Sequence, residues 1–335
     1  MSKKFWKHID RSMKVLAPMA GYTDSAFRLL CKEFGADVVI TELVSADAVA
    51  HGKFRVEESG TKIKVVASKN NNTAELLSFD RRERPIVVQL FGKYPEKFGL
   101  ATKWISENLK PDGIDINMGC PARKVVGSDH GAALLKNSEL AVEIVKAVKA
   151  NTSLPVSVKT RLGWESDDEI LQFVPRLVEA GIDAIIIHGR TYKDGFKGKA
   201  RWDNIYKIKE MFGDKLVVIG NGDITDSCQI SDIRYQQGIT LDGFAIGRAT
   251  FGKPWVFCDA KNQYKIESIK YKVLLKKLIL RHAELVFESK GEHGIVEFRK
   301  HLLAYLRGFP EAKKLRLEAV KITELKDIKN VLSNF

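Results

Sequence analysis

What most constrains the fold of this 335-residue chain is a series of eight short Val/Ile-rich runs separated by longer, mostly amphipathic segments. "KVLAPMAG" begins at Lys14, "DVVITELVS" at Asp37, "RPIVVQLFG" at Arg84 and "GIDINMGCP" at Gly113. "PVSVKTRLG" follows from Pro155, "DAIIIHGRT" from Asp183, "KLVVIGNGDI" from Lys215 and "GFAIGRAT" from Gly243. Runs that are almost continuously apolar fit strands of a parallel sheet buried on both faces. Intervening segments such as "DSAFRLLCKEFGA" and "NSELAVEIVKAVKA" are helical in pattern, the second with Asn137 or Ser138 placed to cap it. Eight such units over about 250 residues predict an α/β fold of the (β/α)8 type, a TIM barrel. A doubly wound sheet alternates in the same way. No G-x-G-x-x-G follows any of the runs, which weighs against it.

Two stretches fall outside the repeat. Residues 59–83, "SGTKIKVVASKNNNTAELLSFDRRE", are long and polar for a connection, and read as an elaborated crossover or an accessory hairpin. From residue 255 onward the chain turns basic, with 17 Lys and Arg against 10 Asp and Glu, within a net charge of +13 overall. Its segments from about Asn262 are helical in pattern, with Gly291 as a stop and further helices around Pro310. The expected organisation is a barrel over 1–254 followed by a small C-terminal helical bundle over 255–335. Such a charge balance favours an anionic partner such as nucleic acid, although exposed lysines also simply solvate a surface.

No apolar run approaches the ~18 residues of a membrane span, and "MSKKFWKHIDRSM" has no apolar core after its lysines. Four scattered cysteines, Cys31, Cys120, Cys228 and Cys258, lack C-x-x-C spacing. The expectation is a cytoplasmic protein without structural disulfides or a metal site, monomeric by default.

In a TIM barrel the active site forms at the C-terminal ends of the strands. Those ends here carry Pro18-Met19-Ala20, Glu42, Gln89, Asn117 with Cys120, Lys159 with Arg161, His188, Asn221-Gly222-Asp223 and Gly247-Arg248. Any one of these alone would read as structural; their coincidence at one end is harder to dismiss. The loops after the last two strands, "GNGD" and "IGRA", combine glycines for close approach with Arg248, and predict a phosphate-bearing ligand across the mouth.

The motifs "APMAGYTDSAFR", "VQLFG", "DINMGCPARKV", "VKTRLGW", "IHGRT", "GNGDI" and "AIGRATFGKPW" together resemble the tRNA-dihydrouridine synthases, nearest to their bacterial B-like branch. The match runs in order from about Leu16 to Trp255, and "FRKHLLAYLRG" carries it into the C-terminal region. The resemblance implies an FMN-dependent oxidoreductase that reduces the C5–C6 double bond of uridine in the tRNA D-loop, with NADPH as reductant. It implies FMN contacts from Pro18, Met19, Ala20, Gln89, Lys159, His188, Asn221, Gly222, Asp223, Gly247 and Arg248. It assigns Cys120 as the group that protonates C5 while reduced flavin delivers hydride to C6. A thiol suits that role, since an ordinary pKa near ~8.5 leaves it protonated at neutral pH. Lys159 and Arg161, two apart on one strand, share a face and suit stabilisation of charge on the uracil carbonyls. Arg161 alternatively pairs with Glu165 at the rim. Asn117 would bond the base edge or the flavin, unless its amide is structural. The expected RNA contacts in the basic C-terminal region are Arg299, Lys300, His301, Tyr305 and Arg307.

Two other readings start from the same residues. A flavin barrel acting on a free pyrimidine, like dihydroorotate dehydrogenase, would share the flavin grip but leave the basic C-terminal helices unexplained. A tRNA-binding protein that has lost turnover would not need Cys120, Lys159 and the phosphate loops together.

Overall fold

The computed structural model describes residues 5–7, 12–67, 72–226, 228–236, 238–258, 271–309 and 312–333. Each of the eight runs contributes a parallel strand to a closed barrel. They are β1 (Met13–Leu16), β2 (Val38–Ile40), β3 (Ile86–Phe91), β4 (Gly113–Met118), β5 (Val156–Arg161), β6 (Ala184–His188), β7 (Val217–Asn221) and β8 (Gly243–Ile246). Neighbours in sequence pair in parallel, and β1 closes on β8 with Met13 opposite Gly243 and Leu16 opposite Ile246. The period of two along each strand divides the apolar residues between two cores. On β6, Ala184 and Ile186 point into the barrel with Val15, Val38 and Val217, while Ile185 and Ile187 face the helices. Both faces are buried, which is why the runs are apolar rather than alternating.

The surrounding helices are α1 (Ser25–Glu33), α2 (Pro95–Asn108), α3 (Ser138–Ala150), α4 (Glu169–Glu179) and α5 (Asp203–Phe212). Asn137 caps α3, its side chain accepting from the Leu140 N–H at 3.1 Å. The run from Asp37 does not stay one strand. It breaks after Ile40, and Val44–Ser45 resumes as a separate short strand against β3. Between them the Glu42 carboxylate accepts the Gly21 N–H.

The long polar connection is an accessory three-stranded antiparallel sheet, Phe54–Ser59, Lys62–Ala67 and Phe79–Asp80, with the helix Asn72–Leu77 inserted before its last strand. Ile63 and Val65 are buried while Lys62 and Lys64 are exposed, the alternation of a sheet with one dry face. A buried ion pair ties this sheet to the barrel: Arg28 Nε on α1 lies 2.5 Å from Glu83 Oε2, with both side chains almost fully buried. Burial pushes the Glu83 carboxyl above its ordinary value, and Arg28 opposes that. Glu83→Ala would strand the guanidinium, and is expected to cost about 3–5 kcal/mol of unfolding free energy. Urea denaturation checks this; a loss below about 1 kcal/mol would class the pair with surface ion pairs.

After β8 the chain continues into α6 (Tyr271–Tyr305), α7 (Ala312–Ala319) and α8 (Leu325–Ser333). Gly291, at φ 64° and ψ −151°, divides α6 into two helical arms. The predicted helical stretch before Tyr271, and Pro310, lie outside the described residues, as does the Cys228 side chain. The arms of α6 pack on α1 through His282 and His301, whose rings lie 5.5 and 4.9 Å from that of Phe27. Beside the break, Lys290 reaches Asp24 at 3.2 Å and Glu75 and Glu297 at 2.7 Å, joining barrel, accessory sheet and bundle at one ammonium. Among the described residues no helix is long and apolar enough to cross a membrane.

Candidate active site

A cavity of about 600 Å³ opens at the C-terminal ends of the strands. It is lined by Pro18, Met19 and Ala20 after β1, Asn117 and Cys120 at β4, Lys159 and Arg161 on β5, and His188 on β6. Asn221, Gly222 and Asp223 after β7 and Gly247 and Arg248 after β8 complete the wall. Residues drawn from six strands and their following loops thus converge on one space, as the barrel rule requires.

The cations of the site differ in freedom. Arg161 is 3% exposed, its Nε donating to Gly119 O and its Nη1 to Thr191 O and Gly195 O, each at 2.9 Å. It is a brace for the loops on both sides. The alternative pairing with Glu165 is not the one made: Lys193 takes that carboxylate at 2.7 Å. Lys159 Nζ donates to Asn221 Oδ1 at 3.2 Å, and Asn221 Nδ2 donates to Ala245 O at 2.7 Å, linking β5, β7 and β8. Burial, with Arg161 beside it, lowers the Lys159 pKa to about 8. Burial also lowers Arg161 to about 10. His188 is held far down by burial and by the surrounding Lys159, Arg161, Arg190 and Arg248, so its ring is neutral at neutral pH.

At the far wall, Arg190 Nη2 grips both Asp223 oxygens at 2.8 and 2.7 Å, and the Ala200 N–H donates to the same carboxylate. Asp223 is thereby spent within the protein. Arg248 is half exposed, 3.7 Å from Asp223, and keeps most of its guanidinium for an incoming anion. Gly222, at φ +127°, has room for no side chain: a Cβ there would come within 2.7 Å of Ala200 Cβ. His188 Nδ1 is buried without a hydrogen-bond partner.

Several predicted residues sit elsewhere than expected. Gln89 is fully buried and does not line the cavity: its Nε2 donates to Asp115 Oδ2 at 2.7 Å and its Oε1 accepts Asn117 Nδ2 at 2.9 Å. In this structure both ends of its amide are taken by Asp115 and Asn117. Asn117 reaches the cavity wall, but its Oδ1 accepts the Cys120 N–H at 3.0 Å, so its amide serves the loop as well. His301 is 1% exposed among Tyr22, Phe27 and His282, which withdraws it from any RNA surface. Tyr305, at 2% exposure, is withdrawn in the same way. Arg299 donates through Nε and Nη2 to Ile322 O at 2.9 and 2.6 Å, and so braces the bundle. Lys300 lies nearer the site, its Nζ 5.9 Å from the ring of the cavity residue Tyr22. Asp24, His282 and His301 bring ligand-type atoms within 4.8 Å of one another, and Lys290 already holds the Asp24 carboxylate.

Sequence reasoning missed Phe196. It sits in the loop after β6, lines the cavity and remains 55% exposed, with the Arg248 and Arg161 guanidinium carbons 4.5 and 5.4 Å from its ring centre. The signal was a lone aromatic in the Gly- and Lys-rich "KDGFKGK".

A model of the family described as Dihydrouridine synthase (Dus) matches residues 15–335. The chain belongs to this family. Among relatives of the dihydrouridine synthases, the "Probable tRNA-dihydrouridine synthase" of Aquifex aeolicus is 35% identical over 322 residues, covering 94% of this chain and 93% of its own. The "tRNA-dihydrouridine synthase B" of Pseudomonas aeruginosa is 35% identical over 310 residues, covering 91% and 86%. The "Probable tRNA-dihydrouridine synthase 1" of Synechocystis is 32% identical over 322 residues, covering 94% and 84%. Among solved structures, a 2-naphthoyl-CoA reductase bound to 2-naphthoyl-CoA superposes with a TM-score of 0.51 at 10% identity. That match covers 76% of this chain and 50% of the reductase chain. It bears on the fold alone.

Proposed function

We propose that this protein reduces the C5–C6 double bond of uridine in the D-loop of tRNA, with FMN in the barrel mouth and Cys120 as proton donor. The observation that carries the reading is the convergence of a thiol, a depressed-pKa lysine and a half-exposed arginine on one cavity. The family match and the names of its relatives supply the substrate class.

The residues present fit a flavin mononucleotide. Arg248 offers charge to a phosphate, Gly222 and Gly247 line the mouth with backbone alone, and His188 brings a buried nitrogen in need of a partner. Pro18, Met19 and Ala20 supply an apolar edge. When bound and reduced by NADPH, FMN supplies the hydride for C6 of the base.

The chain's own residues do the rest. Cys120 gives its Sγ proton to C5, and Lys159 sets a positive charge where the uracil carbonyl gains electron density. Phe196 offers an exposed ring at the entrance for a base that has left its stack. Exposed Arg307 in the turn after α6 and Lys313, Lys314 and Arg316 on α7 suit phosphate contacts, which position without specifying. On this reading residues 1–254 form the catalytic barrel and 255–335 the tRNA-holding bundle of a cytoplasmic, monomeric enzyme.

The test is turnover of unmodified tRNA by FMN-loaded protein with NADPH, with reduced uridines mapped by mass spectrometry. Dihydrouridine at a D-loop position is the expected product. A yellow, NADPH-reducible protein that leaves tRNA untouched but reduces a free pyrimidine would overturn the tRNA reading. Phe196→Ala is expected to raise KM for tRNA by roughly tenfold or more, the worth of one stacked base. An unchanged KM would remove Phe196 from the base path.

A further inference from the structure

Asp115 is fully buried inside β4, beneath the loop that carries Cys120. Strand register sets Gln89 of β3 and Ser157 of β5 directly beside it. Asp115 Oδ1 accepts the Ser157 hydroxyl at 2.6 Å and Oδ2 accepts Gln89 Nε2 at 2.7 Å. Gln89 Oε1 then accepts Asn117 Nδ2 at 2.9 Å. Asn117 Oδ1 accepts the Cys120 N–H at 3.0 Å and the Gly119 N–H at 3.3 Å.

We propose that Asp115 is a positioning residue for the Cys120 thiol, its carboxylate setting the direction of a hydrogen-bond relay that ends on the Cys120 amide. The assignment rests on reading Cys120 as the proton donor, and adds the device that aims it.

The argument is one of donors and acceptors. An ionised carboxylate only accepts, so Gln89 must turn its Nε2 toward Asp115. Its oxygen is then left for Asn117, which must answer with Nδ2 and leave Oδ1 to the loop. Turning the amides around would set an NH2 group against the Cys120 N–H, two donors face to face in a buried place. Both amides look symmetrical to packing, since their O and N atoms have nearly the same shape. The acceptor-only carboxylate at the head and the donor-only Cys120 and Gly119 N–H groups at the tail select the same direction. Burial raises the Asp115 pKa to about 6, with Ser157, Gln89 and Lys159 opposing, so it is ionised at neutral pH. A buried carboxylate is an expensive group to keep for filling space, and a neutral residue of the same size would serve packing as well.

The test uses two isosteric variants of the full-length protein. In Asp115→Asn the side chain can show either an oxygen or an NH2 to Gln89, so the head no longer enforces one direction and only the loop N–H groups oppose reversal. Adding Gln89→Glu restores one direction: the new carboxylate accepts from the substituted amide at position 115 on one side and from Asn117 on the other. The readouts are the alkylation rate of Cys120 by iodoacetamide, followed on its own peptide by mass spectrometry, and kcat and KM on tRNA.

Asp115→Asn is expected to change Cys120 alkylation and lower kcat, each by roughly five- to tenfold, with KM within about twofold and no fall in melting temperature. The double variant is expected to return both rates to within about threefold of the parent. Parent-like rates in Asp115→Asn, or a double variant no better than the single one, would overturn the proposal. Alkylation needs no turnover. If the parent makes no dihydrouridine, the functional reading fails while the alkylation comparison still decides the relay.

Discussion

Cys120→Ala is expected to reduce dihydrouridine formation by about 10²–10⁴-fold, the usual worth of a positioned general acid. Cys120 lines the cavity in the loop just after β4, next to the strand that carries Lys159. Its backbone N–H, rather than its side chain, is what Asn117 holds. Alanine therefore removes the proton donor and leaves the loop anchored. Flavin binding, reduction of the flavin by NADPH and KM for tRNA are expected to stay within about threefold of the parent, because none of them draws on the sulfur. Cys120→Ser should fall between the two, since a hydroxyl fits the space but is a far weaker acid than a thiol. The measurement is single-turnover conversion of unmodified tRNA by pre-reduced protein, which isolates the chemical step. More than a tenth of parental activity in the alanine variant would mean that the proton reaches C5 from another source.

The second large effect belongs to Lys159. Lys159→Met is expected to lower kcat by about 10²–10³-fold, comparable to removing a donor aimed at developing negative charge. Its pKa of about 8, depressed by burial and by Arg161, adds a pH signature. Above about pH 8 the ammonium loses its proton, so the parental rate should fall along an alkaline limb. The stability contribution runs the other way. Between about 8 and the ordinary 10.5 the unfolded chain binds more protons at this residue than the folded one. Folding is therefore favoured as pH rises through that window, with the full cost of burying the charge felt below it. A falling rate with no matching fall in urea midpoint is the expected pattern. Lys159→Arg, charged throughout, should remove the Lys159 share of the limb even if its larger head lowers the plateau. A limb that persists unchanged in that variant would assign it to another group.

Much of this architecture was legible from residue order. Strands buried on both faces must be apolar throughout, and that makes eight of them visible as runs. Once a barrel is inferred, its active end is known, and the polar residues at strand ends follow without further information. The accessory sheet was harder to see. Its Lys62-Ile63-Lys64-Val65 alternation is short, and the polar connection after it obscured the return strand at Phe79–Asp80. The break after Ile40 was invisible because Thr41-Glu42-Leu43 carries no Gly or Pro to announce a turn.

Placement within the site was less legible. Gln89 and Asn117 sit at strand ends, as a cofactor contact should, yet they bond each other across neighbouring strands. Strand register decides that pairing, and no local pattern encodes register at single-residue resolution. His301 lies in a basic helical segment that invites an RNA role, but α6 turns it inward against Phe27 and His282. The face a helix buries depends on what it packs against, and a segment carrying both apolar and basic residues leaves that choice open.

Residue order alone was enough for the barrel and for the end at which the polar residues of its strand ends, Cys120, Lys159 and Arg248 among them, gather. These follow from burial and periodicity, which act along the chain. Which side chains face the cavity, which are spent on one another, and that a buried carboxylate stands behind the Cys120 loop emerged from the folded barrel and from nothing earlier. Those are matters of contact between residues distant in sequence, and they exist only once the strands have closed into a ring.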